Sequence, residues 1–358
     1  MVFIKEVVKF LLLKEMKSSC NCNNNGIFGK FKRVIVQDST LLKFPNKLAD
    51  IYTGSANQNP QKKIAMARIQ VAIDLKNDKF VSFDLDRFTK TDQASLGDIL
   101  ADLKESDLLI RDLGYYGLKF FKQVIDLKAF FLSRYKCGTI IQSKDGIRLD
   151  INKLLKSKRI VDIDVLAGVE DKVPVRLVAI AVPPKIAAQR RRKFIQTSKR
   201  KNNGKKPKKE NLFLMGFQIF LTNVPRNVWS VKDVAKAYSC RWRIENIFKV
   251  WKSVFKLQNI SKTASKHQIE VIIYGKLIFT LCFHRQFWNK IQKYKWEGQV
   301  SIYKAAKFWY DNFLMFLFKP ESYCYFQRNI KKYSKLLIYD KRTRRNFEEI
   351  FVNTGLRT

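Results

Sequence analysis

Apolar positions along this chain recur with two periods. Residues 1–17, MVFIKEVVKFLLLKEMK, space apolar side chains three or four apart around Lys5, Glu6, Lys9, Lys14 and Glu15, which predicts one amphipathic helix. The Asn- and Gly-rich stretch SSCNCNNNGIFGK that follows predicts a loop. Residues 33–38, RVIVQD, predict a short buried strand ending in a carboxylate, Asp38. Residues 64–75 and 80–87 predict two strands joined by a hairpin turn at Lys76-Asn77-Asp78-Lys79. Leu96, Ile99, Leu100 and Leu103 fall at helical spacing, so residues 93–104 predict a helix, with Asp92 as a suitable N-cap. Residues 107–112, DLLIRD, predict a second short strand that also runs into a carboxylate, Asp112. Gly114-Tyr-Tyr-Gly117 interrupts the pattern before a helix over 118–127 and a strand over 130–135.

From 138 to 223 the texture changes to short β-rich runs at 139–142, 161–165, 173–182 and 212–221. Within that stretch, residues 190–209 hold 11 Lys/Arg in 20 positions and no acid, a density of like charge that predicts partial mobility. From Ser230 onward the pattern is helical and rich in aromatics. Strand, two-stranded hairpin, helix, strand, helix, strand, insertion, helix is the order of a mixed-sheet α/β architecture with helices packed on the sheet.

Composition adds one strong statement. The 358 residues carry 70 Lys+Arg against 31 Asp+Glu, a formal net charge of +39 on a chain that is 46% apolar. So apolar a chain folds, and so large a charge points to a polyanionic partner, because each cation placed on a phosphate releases a condensed counterion. No uncharged apolar run reaches the roughly 18 residues of a membrane span, and the charges within 1–17 spoil a signal peptide. An anionic membrane surface is the weaker alternative, since the basic residues are spread along the chain. Six scattered cysteines and two histidines argue against a zinc site and fit a reducing compartment, so a cytoplasmic protein is expected, associated with the nucleoid through DNA.

Candidate chemistry starts with the two strand-end carboxylates. If the strands of Asp38 and Asp112 are neighbours, both acids emerge at one sheet edge and repel unless a cation such as Mg²⁺ lies between them. A turn-capping role explains either one equally well, and Asp74, Asp84, Asp86 and Asp92 compete on the same grounds. A helix after Ser230 narrows the choice. Ser230-Val-Lys-Asp233 reads as a capping box opening a helix that runs to about residue 255. With Tyr238 at 0° and ~100° per residue, Arg241 falls near 300°, Glu245 near 340° and Lys252 near 320°, a wedge of about 60°. Ile244, Ile247, Phe248, Trp251, Val254 and Phe255 fill the adjoining apolar sector. An Arg241–Glu245 surface ion pair explains two of the four polar residues and leaves Tyr238 and Lys252 as coincidence.

These residues resemble the DDE transposases of bacterial insertion sequences, in the group marked by Tyr-x2-Arg-x3-Glu-x6-Lys. Tyr238, Arg241, Glu245 and Lys252 match that signature with every spacing intact. Val36-Gln-Asp38-Ser-Thr40 is similar to the family's first-Asp strand, Ile110-Arg-Asp112-Leu-Gly-Tyr115 to its second-Asp motif, and Leu221-Thr-Asn-Val-Pro225 to the block before the signature. The resemblance spans about residues 30 to 325. It implies a ribonuclease-H-like mixed sheet with flanking helices, interrupted by a β-rich insertion and followed by a helical C-terminal region. It also implies that Asp38, Asp112 and Glu245 are the catalytic, metal-binding triad for two Mg²⁺ (or Mn²⁺) ions. Tyr238, Arg241 and Lys252 then contact DNA beside the metals. The basic run, represented by Arg190, Arg191, Arg192 and Lys193, tracks the DNA backbone. Trp229, Trp242 and Trp251 are candidates for stacking on a flipped base, with Trp251 better placed in a core.

The expected organisation is 1–30 as a helix and loop, the remnant of an end-binding domain; 31–137 as the first part of the core; 138–223 as the insertion; 224–260 as the signature helix completing the core; and 261–358 as a helical C-terminal region. Family members usually carry a sizeable domain before the first catalytic strand, and here 37 residues precede Asp38, which reads as truncation. The implied activity is metal-dependent cleavage of DNA at element ends and strand transfer to a target, by a homodimer assembled on DNA. The alternatives are a truncated, non-catalytic DNA-binding remnant and a structure-specific nuclease of the same fold.

Overall fold

A computed structural model describes residues 26–54, 64–201, 207–260 and 265–339, together with Phe3, Glu6, Val7 and Phe10. Those four are helical, and the remainder of the helix and loop expected before residue 26 lies outside the described residues. In chain order the strands and helices are β1 (Val34–Phe44), β2 (Ala65–Asp74), β3 (Lys79–Arg87), β4 (Leu108–Arg111), α1 (Leu118–Asp126), β5 (Phe130–Arg134), β6 (Ile141–Gln142) and β7 (Arg148–Leu149). There follow α2 (Ile151–Lys156), β8 (Ile160–Ala167), β9 (Val173–Ala181), α3 (Pro184–Lys201), α4 (Lys209–Leu214), β10 (Phe217–Thr222), α5 (Val231–Ser239) and α6 (Trp242–Ser253). The C-terminal part is α7 (Lys266–Cys282), a π-helical segment (Phe283–Trp288) with a last turn (Asn289–Ile291), α8 (Ile302–Phe318), α9 (Pro320–Arg328) and α10 (Ser334–Leu337).

The chain forms two units. A sheet unit gathers Asn23–Ile35 and Asp92–Arg241, and a helix-rich unit gathers Val36–Thr91 and the chain from Trp242. The chain passes between them within β1, after Thr91, and between α5 and α6.

In the sheet unit the strand order is β4-β5-β10-β9-β8-β6-β7. β4 and β5 are parallel, joined by α1, and every later pairing is antiparallel. The strands of 138–223 therefore prolong the sheet that β4 and β5 begin. The block before the signature closes that sheet in a specific way. Thr222 Oγ1 donates to Phe131 O at 2.5 Å, Asn223 Oδ1 accepts from Phe131 N at 2.8 Å, and Asn223 Nδ2 donates to Ala129 O at 2.8 Å. Side-chain amide and hydroxyl thus take over the ladder where β10 ends. Trp229 is fully buried against the edges of Phe28 and Phe31, and its indole donates to Ile27 O at 2.7 Å.

Three expectations change here. Residues 93–104 form turns with a single 3₁₀ segment, Asp98–Ala101, instead of an α-helix. Ile99 and Leu103 are buried as the spacing required, but Ser95, Gly97 and Asp98 are weak helix formers in the interior of that stretch. Asp92 therefore caps no α-helix; its carboxylate packs against Gly114, where an added Cβ would lie 3.0 Å from Asp92 Oδ2. Residues 190–201 of the basic run, within a stretch read as β-rich, are helical as the end of α3, where Ala187 is buried and Arg190 and Arg191 bond backbone carbonyls of the same unit, while 202–206 lie outside the described residues. The helix expected from Ser230 to about residue 255 is two helices. α5 opens on the predicted capping box of Ser230 and Asp233, and it ends where Cys240 and Arg241 bond the carbonyls three residues back. That tightened turn separates it from α6.

In the helix-rich unit β2 and β3 pair antiparallel as predicted, around a turn in which Asp78 has φ +53°. β1 does not stop at Asp38 but continues through it to Phe44, since Thr40, Leu42, Phe44 and their buried neighbours keep the period-two pattern going. α6 buries Ile244, Ile247, Phe248, Val250 and Trp251. Trp251 lies between Phe80 and Phe83 of β3, at ring distances of 6.1 and 5.8 Å, and donates to His284 Nε2 at 3.3 Å. It is a core residue, as preferred above. Beyond it, Phe287, Phe308, Phe316 and Phe326 join the π-helical segment to α8 and α9 through rings 5.0 to 6.2 Å apart. Among the described residues no helix is long and apolar enough to cross a membrane.

Burial, and then the Arg243 cation, push the His284 imidazole down to about 3. Its folded value lies below its unfolded one, so its contribution to stability is complete above about pH 6.5 and is lost as the pH falls toward 3. The melting temperature is expected to drop between pH 7 and pH 5 in the parent and less in His284→Gln, whose amide still accepts from Trp251. Equal acid sensitivity in the two proteins, by circular dichroism melts, would contradict the assignment.

Candidate active site

Asp112 follows the last residue of β4 and stands at the N-cap of the 3₁₀ turn Leu113–Tyr115. The residue before it is locked in place. Arg111 is buried, donates to Leu96 O at 3.0 Å, and lies over the rings of Phe120 (4.3 Å) and Tyr115 (5.0 Å). Burial lowers its guanidinium to about 9, still cationic at neutral pH. Asp112 itself is half-buried and accepts one hydrogen bond, from Tyr238 Oη at 3.2 Å.

Tyr238 reaches Asp112 because α5 starts from a fixed point. The Arg176 guanidinium is buried, binds both oxygens of Asp162 at 2.8 Å, and donates to Val224 O at 3.3 Å and Trp229 O at 2.8 Å. These bonds hold the segment from which α5 rises. At the other end of α5 the Tyr238 ring packs on Phe220, 5.2 Å between centroids, and the Arg241 guanidinium lies 6.0 Å over it. Burial raises the phenol pKa, and the Asp112 charge raises it further. Tyr238 is therefore a neutral donor. The second Asp and the first two signature residues form one cluster in the sheet unit.

The helix-rich unit carries the other half of the set. Asp38 is half-buried on β1, with Oδ1 accepting from Ser39 N at 2.8 Å, and Ser39 Oγ accepts from Arg68 at 2.9 Å. Glu245 lies in the first turn of α6 and Lys252 in its last, the ends at which the helix dipole favours each charge. Both are half-buried, and burial lowers the Lys252 ammonium. Tyr238 and Arg241 stand on α5 and the connecting turn, while Glu245 and Lys252 stand on α6, so the narrow wedge is not a property of one continuous helix.

Of the predicted backbone-tracking residues, Arg190 donates to Phe217 O at 3.3 Å and Arg191 to Leu212 O at 3.1 Å. Arg192 and Lys193 are exposed. Trp242 is also exposed, at 49%, whereas Trp229 belongs to the core, and this difference leaves Trp242 alone of the three tryptophans able to stack on a base. Sequence reasoning missed Arg111, Arg176 and Arg243, all buried. The signal for them is weak: a lone cation inside an apolar run, as in LLIRD or VPVRLVAI.

The family profile described as "Transposase DDE domain" matches residues 29–280. The chain belongs to the DDE transposase family. It is 28% identical to the transposase for insertion sequence element IS231B of Bacillus thuringiensis subsp. berliner, over 94% of this chain and 74% of that one. Identity is also 28% to the IS231E transposase of B. thuringiensis subsp. finitimus, over 94% and 72%, and 26% to the IS1151 transposase of Clostridium perfringens, over 78% and 62%.

In this transposase-family chain Asp38, Asp112 and Glu245 are half-buried carboxylates, hard oxygen donors of the kind that suit Mg²⁺, Mn²⁺ and Ca²⁺. Among the described residues no group of three or more His, Cys, Asp or Glu side chains is gathered closely enough to hold a metal ion.

The geometry of α3 separates its arginines. Arg190→Ala is expected to lower the melting temperature, because it leaves the part-buried Phe217 carbonyl without its donor, and Arg191→Ala to lower it less, because water can replace an exposed donor at Leu212 O. Arg192→Ala with Lys193→Ala is expected to leave it unchanged while weakening binding to unrelated DNA sequences equally and reducing the salt slope by about 2. A loss confined to one sequence, in salt-titrated filter binding, would contradict backbone tracking.

Proposed function

We propose that the chain is a transposase that cleaves DNA at insertion-sequence ends and transfers the freed strand to target DNA by in-line phosphodiester displacement. The observation that carries this reading is the cluster of Asp112, Tyr238 and Arg241, in which the second-Asp motif and the signature meet through a hydrogen bond. The fold thus brings together residues 126 apart in sequence that the second-Asp motif and the signature each contribute.

Asp38, Asp112 and Glu245 are the residues that would hold two Mg²⁺ or Mn²⁺ ions. Such ions, when bound, supply Lewis-acid activation of the attacking oxygen and stabilisation of the leaving one. The protein's own groups do the rest. Tyr238, a neutral donor, fixes one Asp112 oxygen so that the carboxylate presents the other in a defined direction. Arg241 offers a guanidinium held beside an aromatic face, and a planar fork of this kind suits a phosphate. Lys252 adds a half-buried cation whose partial burial reduces its solvent screening and so strengthens its attraction to a phosphate. The exposed cations of α3 bind backbone without reading bases. The partner is DNA, both transposon ends and target, and the working species is a homodimer assembled on it.

Glu245→Gln keeps side-chain size and removes the charge a divalent ion needs. It is expected to abolish Mg²⁺-dependent nicking of a supercoiled plasmid while leaving filter-binding affinity intact or higher. Lys252→Ala is expected to cut less and to recover in part at low salt, where weakened phosphate contacts are restored. If Glu245→Gln cuts as well as the parent, the carboxylate assignment is wrong. If the parent binds DNA and never cuts, the chain is a DNA-binding remnant.

A further inference from the structure

α6 carries Glu245 and Lys252 seven residues apart, within about 20° of each other around the helix. Its opposite side is fastened at both ends by polar contacts. At the first turn Arg243 is buried, pairs with Asp78 in the β2–β3 turn, and donates to Gln292 Oε1 at 3.2 Å. Asn289, with its amide turned to satisfy both, donates to Asp78 O at 3.2 Å and His284 O at 3.3 Å, so the turn, α6 and the segment after the π-helix share one network. At the last turn, Trp251 is bonded to His284 and wedged between Phe80 and Phe83.

Between these points the contact is apolar: Ile244, Ile247, Phe248 and Val250. Apolar side chains set how closely a helix packs but resist a small rotation or slide weakly, because burial is non-directional. A fork-shaped cation on a carboxylate is directional. An ion pair this buried is a poor device for stability, since two apolar residues would serve as well or better, and its best-attested use is to fix register. Arg243 points about 200° away from Glu245, so it acts on the carboxylate only through the helix backbone.

We infer that the Arg243–Asp78 ion pair is a positioning clamp that fixes the rotation and height of α6, and thereby the direction in which Glu245 presents its carboxylate. Asp78 and Arg243 are positioning residues with no contact to metal or DNA. The inference rests on the proposed metal-ligand role of Glu245.

The test is the double variant Arg243→Met with Asp78→Asn, in the full chain. It removes the clamp without stranding a buried charge, and Asn tolerates the positive φ at 78. Its melting temperature is expected to stay at or above the parent's. Mn²⁺ binding, read by electron paramagnetic resonance, is expected to weaken about tenfold, and plasmid nicking to fall by about 10- to 100-fold, with DNA affinity unchanged. Arg243→Lys, which keeps the charge and loses the fork, is expected to fold and to bind Mn²⁺ several-fold more weakly. Parental Mn²⁺ binding in either folded variant overturns the clamp alone. If the parent's own Mn²⁺ binding is insensitive to Glu245→Gln, the metal reading fails and the clamp falls with it.

Discussion

The chemistry of the sheet unit depends on the buried guanidinium of Arg176. It sits on β9, among apolar side chains, and spends its donors on Asp162 of the neighbouring strand and on the carbonyls of Val224 and Trp229. Leaving β10, the chain would otherwise carry unpaired carbonyls into a buried turn. With that turn fixed, and Trp229 anchored below it, the Ser230 capping box starts α5 in one place and direction. Tyr238 then arrives at Asp112.

The net charge of +39 distributes itself between two uses. Some cations are structural and internal: Arg111 on two aromatic faces, Arg176 on Asp162, Arg33 on Asp107 through Nε at 3.0 Å, and Arg243 on Asp78. Arg176, Arg33 and Arg243 bring their donors to a carboxylate, and Arg111 donates to Leu96 O. Others, such as Arg192 and Lys193 of α3, are exposed to water, where a polyanion can replace their counterions. On α3 the half-buried Arg190 bonds Phe217 O and the exposed Arg191 bonds Leu212 O, next to the exposed Arg192 and Lys193.

Both units show the same division of labour between apolar and polar contacts. Stacked rings such as Phe121 on Phe131, 4.2 Å apart, and the phenylalanine cluster of α8 and α9 supply burial without direction. Asn223, Arg176, Trp251 and Arg243 supply direction at the few points where an element must start, stop or face one way.

The sequence by itself determined the local pieces and the family to which the chain belongs. The β2–β3 hairpin, β4 running into Asp112, α1, β5 and the Ser230–Asp233 box all follow from period and cap chemistry over a few residues. The spacing of Tyr238, Arg241, Glu245 and Lys252 was sufficient to name the family, because a signature is a property of the chain alone. Tertiary structure decided what those pieces become. Residues 93–104 had helical spacing, yet form turns because burying Ile99 and Leu103 does not require a helix there. In the basic run, the carbonyls of Phe217 and Leu212 are partners of Arg190 and Arg191 that no local pattern shows. The single helix became two at Cys240 and Arg241, whose N–H groups bond the carbonyls three residues back. Periodicity reports which side of an element is apolar; which polar group meets which is fixed only when distant strands are brought side by side.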